Sequence, residues 1–217
     1  MGIKVMITGA SGMVGEGVLL TCLNDAAVSE VLMVNRRHVD IQHPKLKECI
    51  VLDFTQPQAM QQQLSGYDAC FFCAGVTSIG KNEAEYTYLT YDTTMRFAEQ
   101  IVVWNPGMVF TYVSGSSTDS TEQGKVMWAR VKGKTENDLM KLPFKKAYAF
   151  RPGGMTPVPG QKHLKPVYKI LVPLFSLFAK RWMLKLEEVG RAMINVVTKE
   201  YPKQVLEIKD IREAAKG

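Results

Sequence analysis

The chain has 217 residues, of which 46% are hydrophobic and 22% are charged. That length suits one well-buried α/β domain and is short for two, and the composition is ordinary for a globular protein. The net charge of +6 is spread without a long run of like charges, and no segment matches a nucleic-acid-binding signature. We therefore expect no nucleic-acid partner, and the mild basicity favours an anionic ligand such as a phosphorylated cofactor.

Four cysteines are scattered through the sequence without a metal-binding pattern. Cys70 and Cys73 have Cys-x-x-Cys spacing, but residues three apart on a strand point to opposite faces of the sheet. No second pair completes a zinc site, so we expect no metal and interpret Cys22, Cys49, Cys70 and Cys73 as reduced thiols. The first predicted strand begins at residue 3, without a cleavable leader before it, so a cytoplasmic location is expected.

The first predicted element is a strand over residues 3–7, an apolar run typical of a buried parallel strand. A glycine turn follows at once, and then a helix whose apolar residues recur every four positions. This order is typical of the opening of a Rossmann unit, in which backbone amides and the positive end of the helix hold a diphosphate. Glycines also mark ordinary loops, but here the required strand and helix are both predicted. The predicted diphosphate-binding residues are Gly9, Ser11, Gly12, Met13 and Gly15.

Each glycine of the turn has its own predicted role. Gly9 makes the tight turn, Gly12 lets backbone amides approach the diphosphate, and Gly15 lets the helix pack closely on the strand. The pattern from Thr8 is Thr-Gly-x-x-Gly-x-x-Gly, one residue wider between the first two glycines than Gly-x-Gly-x-x-Gly. It resembles the short-chain dehydrogenase/reductase superfamily, particularly its extended and atypical branches.

The second predicted strand, residues 30–34, ends in Asn35, Arg36 and Arg37. An NAD-binding unit usually has Asp or Glu here, which bonds the ribose 2′-hydroxyl. A carboxylate repels a 2′-phosphate, whereas a guanidinium grips it through two charged hydrogen bonds. The arginine pair therefore favours NADP(H) over NAD(H). The alternative is that both arginines only solvate the end of a strand.

Further elements are predicted in chain order, with strands at residues 50–52, 68–73, 108–113, 147–150 and 205–208 and helical spacing at residues 83–103 and 187–197. The resemblance implies that Asp53, after the third strand, contacts the adenine, although a helix cap is nearly as good an interpretation. It also implies that Ala74 and Gly75, after the fourth strand, lie beside the cofactor.

The resemblance places an active site at the ends of the fifth and sixth strands. The superfamily's catalytic serine falls in the loop that contains both Ser114 and Ser116, and its Tyr-x-x-x-Lys pair falls at Trp128 and Lys132. In the superfamily the lysine holds the nicotinamide ribose and lowers the pKa of the tyrosine, which moves a proton. An indole cannot do this, so the usual acid/base is missing and Trp128 is expected to contact the substrate.

After the sixth strand, the resemblance places Pro152 and Gly153 beside the nicotinamide. Residues 151–217 are all that remain for substrate binding, which argues against a bulky nucleotide sugar. Residues 165–185 hold an apolar run among lysines that is too short and broken to span a bilayer. A helix that caps the substrate pocket or a dimer contact is the preferred interpretation, and contact with an anionic lipid surface is the minor one.

Together these features predict an α/β fold with a doubly wound parallel sheet, a single Rossmann domain over residues 1–217 in which residues 151–217 form a small substrate-side cap. Within the superfamily the chain resembles the NAD-dependent epimerase/dehydratase group. Two functions are expected. One is an NADP(H)-dependent oxidoreductase acting on a small carbonyl-type substrate. The other is a non-catalytic protein that senses NADP(H), similar to the NmrA-type relatives that have lost the tyrosine.

Overall fold

A computed structural model of the chain describes residues 2–162 and 182–217. In chain order the strands are β1 (Ile3–Thr8), β2 (Val28–Asn35), β3 (Leu46–Ile50), β4 (Ala69–Phe72), β5 (Val109–Val113), β6 (Lys146–Arg151), β7 (Gly154–Thr156), β8 (Met183–Lys185) and β9 (Val205–Glu207). The helices are α1 (Met13–Asn24), α2 (Glu83–Thr87), α3 (Thr93–Trp104), α4 (Met127–Leu139), α5 (Leu186–Thr198) and α6 (Ile208–Ala214). A 3₁₀ turn at Pro57–Met60 follows β3, and a π-helical turn at Tyr88–Asp92 joins α2 to α3.

Seven strands form one parallel sheet in the order β3-β2-β1-β4-β5-β6-β9. A separate two-stranded ribbon pairs β7 with β8. The chain moves outward in one direction from β1 to β3 and in the other from β4 to β9. The carboxyl ends of β1 and β4 therefore flank the point where strand order reverses, which is where open α/β sheets bind ligands. The predicted doubly wound fold is confirmed.

Both faces of the sheet are covered, and alternate residues of β1 point to opposite layers. Val5 and Ile7 belong to an apolar cluster with residues of α1, α5 and α6, whereas Met6 belongs to a second cluster with residues of α3 and α4. Burial on both faces explains why the central strands read as continuous apolar runs rather than as alternating patterns.

The third strand differs from its prediction. The apolar run at residues 50–52 predicts the strand there, but the observed strand is Leu46–Ile50. It lies at the edge of the sheet, where polar side chains such as Lys47 are tolerated in alternation with apolar ones. Leu52, from the apolar run, is 80% exposed. The prediction was wrong because burial of both faces was assumed for a strand that has only one neighbour.

The C-terminal region contributes to the main domain. Strand β9 extends the central sheet, and α5 and α6 pack in the same layer as α1. Helix α6 begins directly after β9 and is not predicted from the sequence. The apolar run at residues 165–185 lies mostly outside the described residues. None of the helices in the described ranges is long and apolar enough to cross a membrane.

Candidate active site

The glycine turn after β1 is packed against two other backbones. Gly9 has φ +73°, and a Cβ there would lie 2.7 Å from the backbone of Ala74 in the loop after β4. A Cβ on Gly15 would lie 2.2 Å from the carbonyl oxygen of Gly9. Gly12 begins helix α1 as its N-cap, and no side chain caps the helix. The first-turn amides thus retain donors for an anionic ligand.

A groove of about 700 Å³ runs from this turn along the carboxyl ends of β1, β2 and β4. A smaller cavity of about 200 Å³ continues it and shares several of its residues. Of the predicted cofactor residues, these two cavities bring together Gly9, Ser11, Gly12, Arg36, Arg37, Asp53, Ala74 and Gly75. Met13 lies beside them at the start of α1, where its carbonyl accepts a hydrogen bond from Gln161 Nε2 (2.7 Å).

Asn35 also lines the groove, at the position where an NAD-binding unit usually has a carboxylate. Its side chain is 3% exposed, and its Oδ1 accepts a hydrogen bond from the amide of Ala10 (3.1 Å). Its Nδ2 has no hydrogen-bond partner among the described residues. A buried donor without a partner costs about 1–3 kcal/mol, so this atom fits a ligand oxygen in the groove. The missed signal was a neutral amide at the end of an apolar strand.

The rim of the groove beside β2 is basic. Arg36 and Arg37 are exposed there, and across the described ranges neither guanidinium forms an ion pair. His38 follows them, and its Nδ1 lies 2.5 Å from Glu48 Oε2. The hydrogen bond with Glu48 raises the pKa of His38. Two guanidinium groups without ion-pair partners in the described ranges, next to an imidazole, form a donor set suited to a phosphate.

Asp53 lies in the smaller cavity and is held in a tight turn. Its Oδ1 accepts hydrogen bonds from the amide (2.8 Å) and the hydroxyl (2.7 Å) of Thr55, which lower the pKa of the carboxyl group. The N-cap of the following 3₁₀ turn is Gln56, so Asp53 is not the helix cap that the alternative interpretation expects. Its carboxylate therefore lies exposed at the cavity.

Lys132 lies half-buried on α4, with its ammonium group against the end of β5. Nζ donates to the carbonyl oxygen of Ser114 (2.7 Å) and lies 3.4 Å from that of Val113. Burial lowers the pKa of Lys132 to about 8, against a smaller opposing effect of Glu136. A lysine with this pKa can gain or lose a proton near neutral pH.

The two candidate serines have different surroundings. Ser114 is 8% exposed, and its hydroxyl donates to the carbonyl oxygen of Phe150 (3.1 Å). Ser116 is half-buried, and its hydroxyl makes no hydrogen bond to any described residue. Its amide donates to the carbonyl oxygen of Pro152 (2.9 Å), which joins the serine loop to the turn after β6. The geometry therefore leaves Ser116 as the hydroxyl open to a ligand.

Trp128 is half-buried in the first turn of α4, one helical turn before Lys132. The edge of its ring lies 4.0 Å from the place that a Cβ on Gly115 would occupy, so the indole packs beside the serine loop. Gly153 follows Pro152, which the amide of Ser116 contacts, and it lies close to the carbonyl oxygen of Trp182. The structure thus collects Trp128, Lys132, the serines and the turn after β6 at one end of the sheet.

The model of the NAD dependent epimerase/dehydratase family matches residues 5–134, more than half of the chain. The chain belongs to the NAD dependent epimerase/dehydratase family. The match begins in β1 and ends in α4, so it includes the glycine turn, the basic rim and Lys132. The predicted family is confirmed, and with it an oxidoreductase-type fold that binds a nicotinamide dinucleotide.

Among curated proteins, this family member is similar to two FMP52 proteins. It is 25% identical over 154 residues to Protein FMP52, mitochondrial, of Debaryomyces hansenii, covering 70% of this chain and 66% of that protein. It is 23% identical over 152 residues to Protein FMP52-1, mitochondrial, of Scheffersomyces stipitis, covering 69% and 66%. The matched part thus spans slightly less than two thirds of these relatives' length.

Solved structures show the same fold at low sequence identity. The Bordetella bronchiseptica enzyme WbmF, in complex with NAD⁺, superposes with a TM-score of 0.69 and 17% identity, over 99% of this chain and 77% of that one. A UDP-N-acetylglucosamine 4-epimerase from Methanobrevibacter ruminantium M1 gives 0.70 and 13%, over 95% and 76%. Glucuronic acid dehydrogenase from Chromohalobacter salexigens gives 0.68 and 16%, over 95% and 76%.

Proposed function

We propose that the protein is an NADP(H)-dependent oxidoreductase that acts on a small carbonyl-type substrate. The observation that carries this proposal is the groove at the strand reversal, where the glycine turn is joined to two arginines without ion-pair partners among the described residues. These arginines are suited to bind the 2′-phosphate of NADP(H), because a guanidinium forms paired, charged hydrogen bonds with phosphate oxygens.

The residues that hold the cofactor follow from the groove. The amides around Gly9, Ser11, Gly12 and Met13 hold the diphosphate, and Gly15 keeps α1 close enough for them to do so. The adenosine half contacts Asn35, Arg36, Arg37 and Asp53. Ala74 and Gly75 line the groove and would lie beside the cofactor, and Lys132, Pro152 and Gly153 would hold its nicotinamide half. When bound, the nicotinamide supplies or accepts a hydride.

The chain's own residues orient the substrate. The open hydroxyl of Ser116 hydrogen-bonds the substrate oxygen, Ser114 supports the loop from within, and Lys132 holds the nicotinamide ribose. Trp128 forms an apolar wall on the substrate side. Because the indole carries no exchangeable proton of suitable acidity, the proton must come from another group or from water.

A second function is favoured by the same tryptophan. A protein that only senses NADP(H) would tolerate the loss of the superfamily's tyrosine. Cofactor binding needs the groove, whereas the catalytic acid/base is needed only for turnover. Such a protein binds NADPH and consumes none of it with any carbonyl compound.

Turnover of NADPH with a panel of aldehydes and ketones separates the two functions. For an enzyme we expect consumption of NADPH that Lys132→Ala abolishes, whereas Lys134→Ala, a change on the same helix outside the site, retains it. Trp128→Tyr is expected to raise the rate, because it restores an acidic hydroxyl one turn before Lys132. No turnover by the natural protein or by Trp128→Tyr would contradict the oxidoreductase proposal and leave the sensor.

The location in the cell is a separate proposal. A cytoplasmic location remains our prediction from the sequence, and the mitochondrial names of the FMP52 relatives supply the alternative. Fractionation of cells that express the full chain, followed by immunodetection, distinguishes the two.

A further inference from the structure

A buried group of charges lies beside the candidate active site. Arg151, at the end of β6, donates from Nε to both carboxylate oxygens of Glu136 (3.1 and 3.2 Å), and its Nη2 contacts the same carboxylate. Its Nη1 donates to Glu207 Oε1 (3.1 Å), and Nη2 also reaches the hydroxyl of Ser120. Glu136 is 1% exposed and Arg151 is 8% exposed. The proposed oxidoreductase chemistry does not use this group directly.

Glu136 lies four residues after Lys132 on α4, which is the spacing at which a lysine and a glutamate form an ion pair on a helix. The structure shows no such pair. Lys132 Nζ instead contacts backbone carbonyl oxygens of the serine loop, and it lies 5.9 Å from the centre of the Tyr112 ring. Glu136 is oriented to Arg151, which occupies both of its oxygens.

The groups that face Lys132 come from three elements. Glu136 lies on its own helix, Tyr112 lies on β5, and Arg151 on β6 is reached through Glu136. Burial raises the pKa of Tyr112, so that hydroxyl remains neutral and adds no charge. The effect of burial, which lowers the pKa of Lys132, is thus opposed only by the carboxylate of Glu136. Because that carboxylate is already paired with Arg151, the pKa of the lysine stays near 8.

We propose that Lys132 supplies the proton that the tyrosine supplies elsewhere in the superfamily, and that Arg151 is the positioning residue that allows this by holding Glu136 away from the ammonium. The inference rests on the proposed function for its substrate. An N–H bond of Lys132 breaks and an O–H bond forms at the carbonyl oxygen, while the new C–H bond uses the hydride of a reduced nicotinamide cofactor. The neutral amine then regains a proton from water.

The first test measures the protonation of Lys132 without cofactor or substrate. Competitive trace labelling of lysines with acetic anhydride at a series of pH values, read by peptide mass spectrometry, gives the pKa of each amine. For the natural protein we expect Lys132 to titrate near pH 8, with Lys134 and Lys141, whose pKa values are raised by Asp138, titrating clearly higher as internal references. Titration of Lys132 together with those exposed lysines would overturn the proposal.

Variants then test the role of Arg151. Arg151→Gln frees Glu136 to pair with Lys132, which should raise the pKa of Lys132 by about 1–3 units. Glu136→Gln combined with Arg151→Gln removes the carboxylate as well and should return the pKa to its low value. Because Arg151→Gln leaves a buried carboxylate unpaired and risks unfolding, Arg151→Lys serves as the milder change and should give a smaller rise. An unchanged pKa in the folded variants would contradict the role of Arg151.

The second test uses turnover. With a substrate identified, the rate should fall as the pH rises through the pKa of Lys132, because the proton to be donated is lost. The double variant should keep this profile, and Arg151→Lys should move the fall to higher pH. A rate that stays constant between pH 7 and pH 9.5 would overturn Lys132 as the proton donor. Absence of turnover with every substrate contradicts the proposed function instead. The labelling experiment uses neither cofactor nor substrate, so its result is independent of that outcome.

Discussion

The two ends of the candidate site match the superfamily pattern to different extents. At the cofactor end, beside β1, β2 and β4, the glycine turn and the loop at Ala74 have the close backbone approaches that the superfamily pattern requires. At the catalytic end, beside β5 and β6, we propose that Trp128 occupies the position of the superfamily's tyrosine, one helical turn before Lys132. The cofactor end therefore defines the proposed ligand, whereas the catalytic end has Lys132 as its proposed acid.

The difference has a physical basis. The cofactor end depends on backbone atoms, so any side chain larger than hydrogen is excluded at two positions. The catalytic end depends on side chains, whose substitution leaves the fold intact. Lys132 and the buried pair of Glu136 with Arg151 can therefore keep their positions when the residue at 128 differs. Lys132 then serves as the proposed acid in place of the tyrosine.

The largest expected effect comes from filling the backbone contact at the cofactor end. Gly15→Ala places a Cβ against the carbonyl oxygen of Gly9, a rigid backbone atom. We expect the free energy of unfolding to fall by about 1–3 kcal/mol, and the affinity for NADPH to fall at least about tenfold because α1 is displaced from the groove. Urea denaturation and NADPH fluorescence titration measure the two quantities.

Gly75→Ala is the matched control, since no atom lies within 4 Å of the added Cβ. Its free energy of unfolding should stay within about 0.5 kcal/mol of the natural protein. Equal destabilisation by Gly15→Ala and Gly75→Ala would show that the close contact between Gly15 and the carbonyl oxygen of Gly9 does not stabilise the turn.

A smaller effect should separate the serines at the catalytic end. Ser116→Ala removes the hydroxyl that no described residue engages, so we expect kcat/KM to fall by about ten- to a hundredfold. Ser114→Ala removes a hydrogen bond to Phe150 and should cost about 1 kcal/mol of stability with a smaller loss of activity. The reverse order would assign the substrate contact to Ser114.

The smallest effect concerns the rim of the cofactor end. Glu48 raises the pKa of His38 in the folded protein, so their pairing stabilises the fold below the unfolded histidine pKa and is lost as pH rises through the folded one. Between pH 5.5 and pH 8.5 the melting temperature of the natural protein should therefore fall slightly relative to that of Glu48→Gln. Gln retains the acceptor for the amide of Val39 and so isolates the charge. Parallel curves would contradict the pairing.

Much of the fold could be predicted because local patterns determine it. Glycine spacing after an apolar strand and serines after the fifth strand identified the elements that the structure brings together. The third strand could not be placed from apolarity, since edge position is a property of the whole sheet. The pairing of Glu136 with Arg151 was missed because it joins a helix and a strand that sequence spacing does not connect. The amide of Asn35 was missed because its contact with Ala10 depends on how two strands align.

The most direct measurement is the affinity of the purified protein for NADPH and for NADH, followed by the fluorescence of the reduced nicotinamide. The account predicts tight binding of NADPH and much weaker binding of NADH. Arg36→Ala with Arg37→Ala should lower the NADPH affinity by about 10- to 100-fold and leave that of NADH unchanged. Lys4→Ala with Lys146→Ala, which removes the same charge at the amino ends of β1 and β6, opposite the groove, should change neither. Equal affinity for the two cofactors would contradict the 2′-phosphate site, and binding of neither would contradict the proposed cofactor groove.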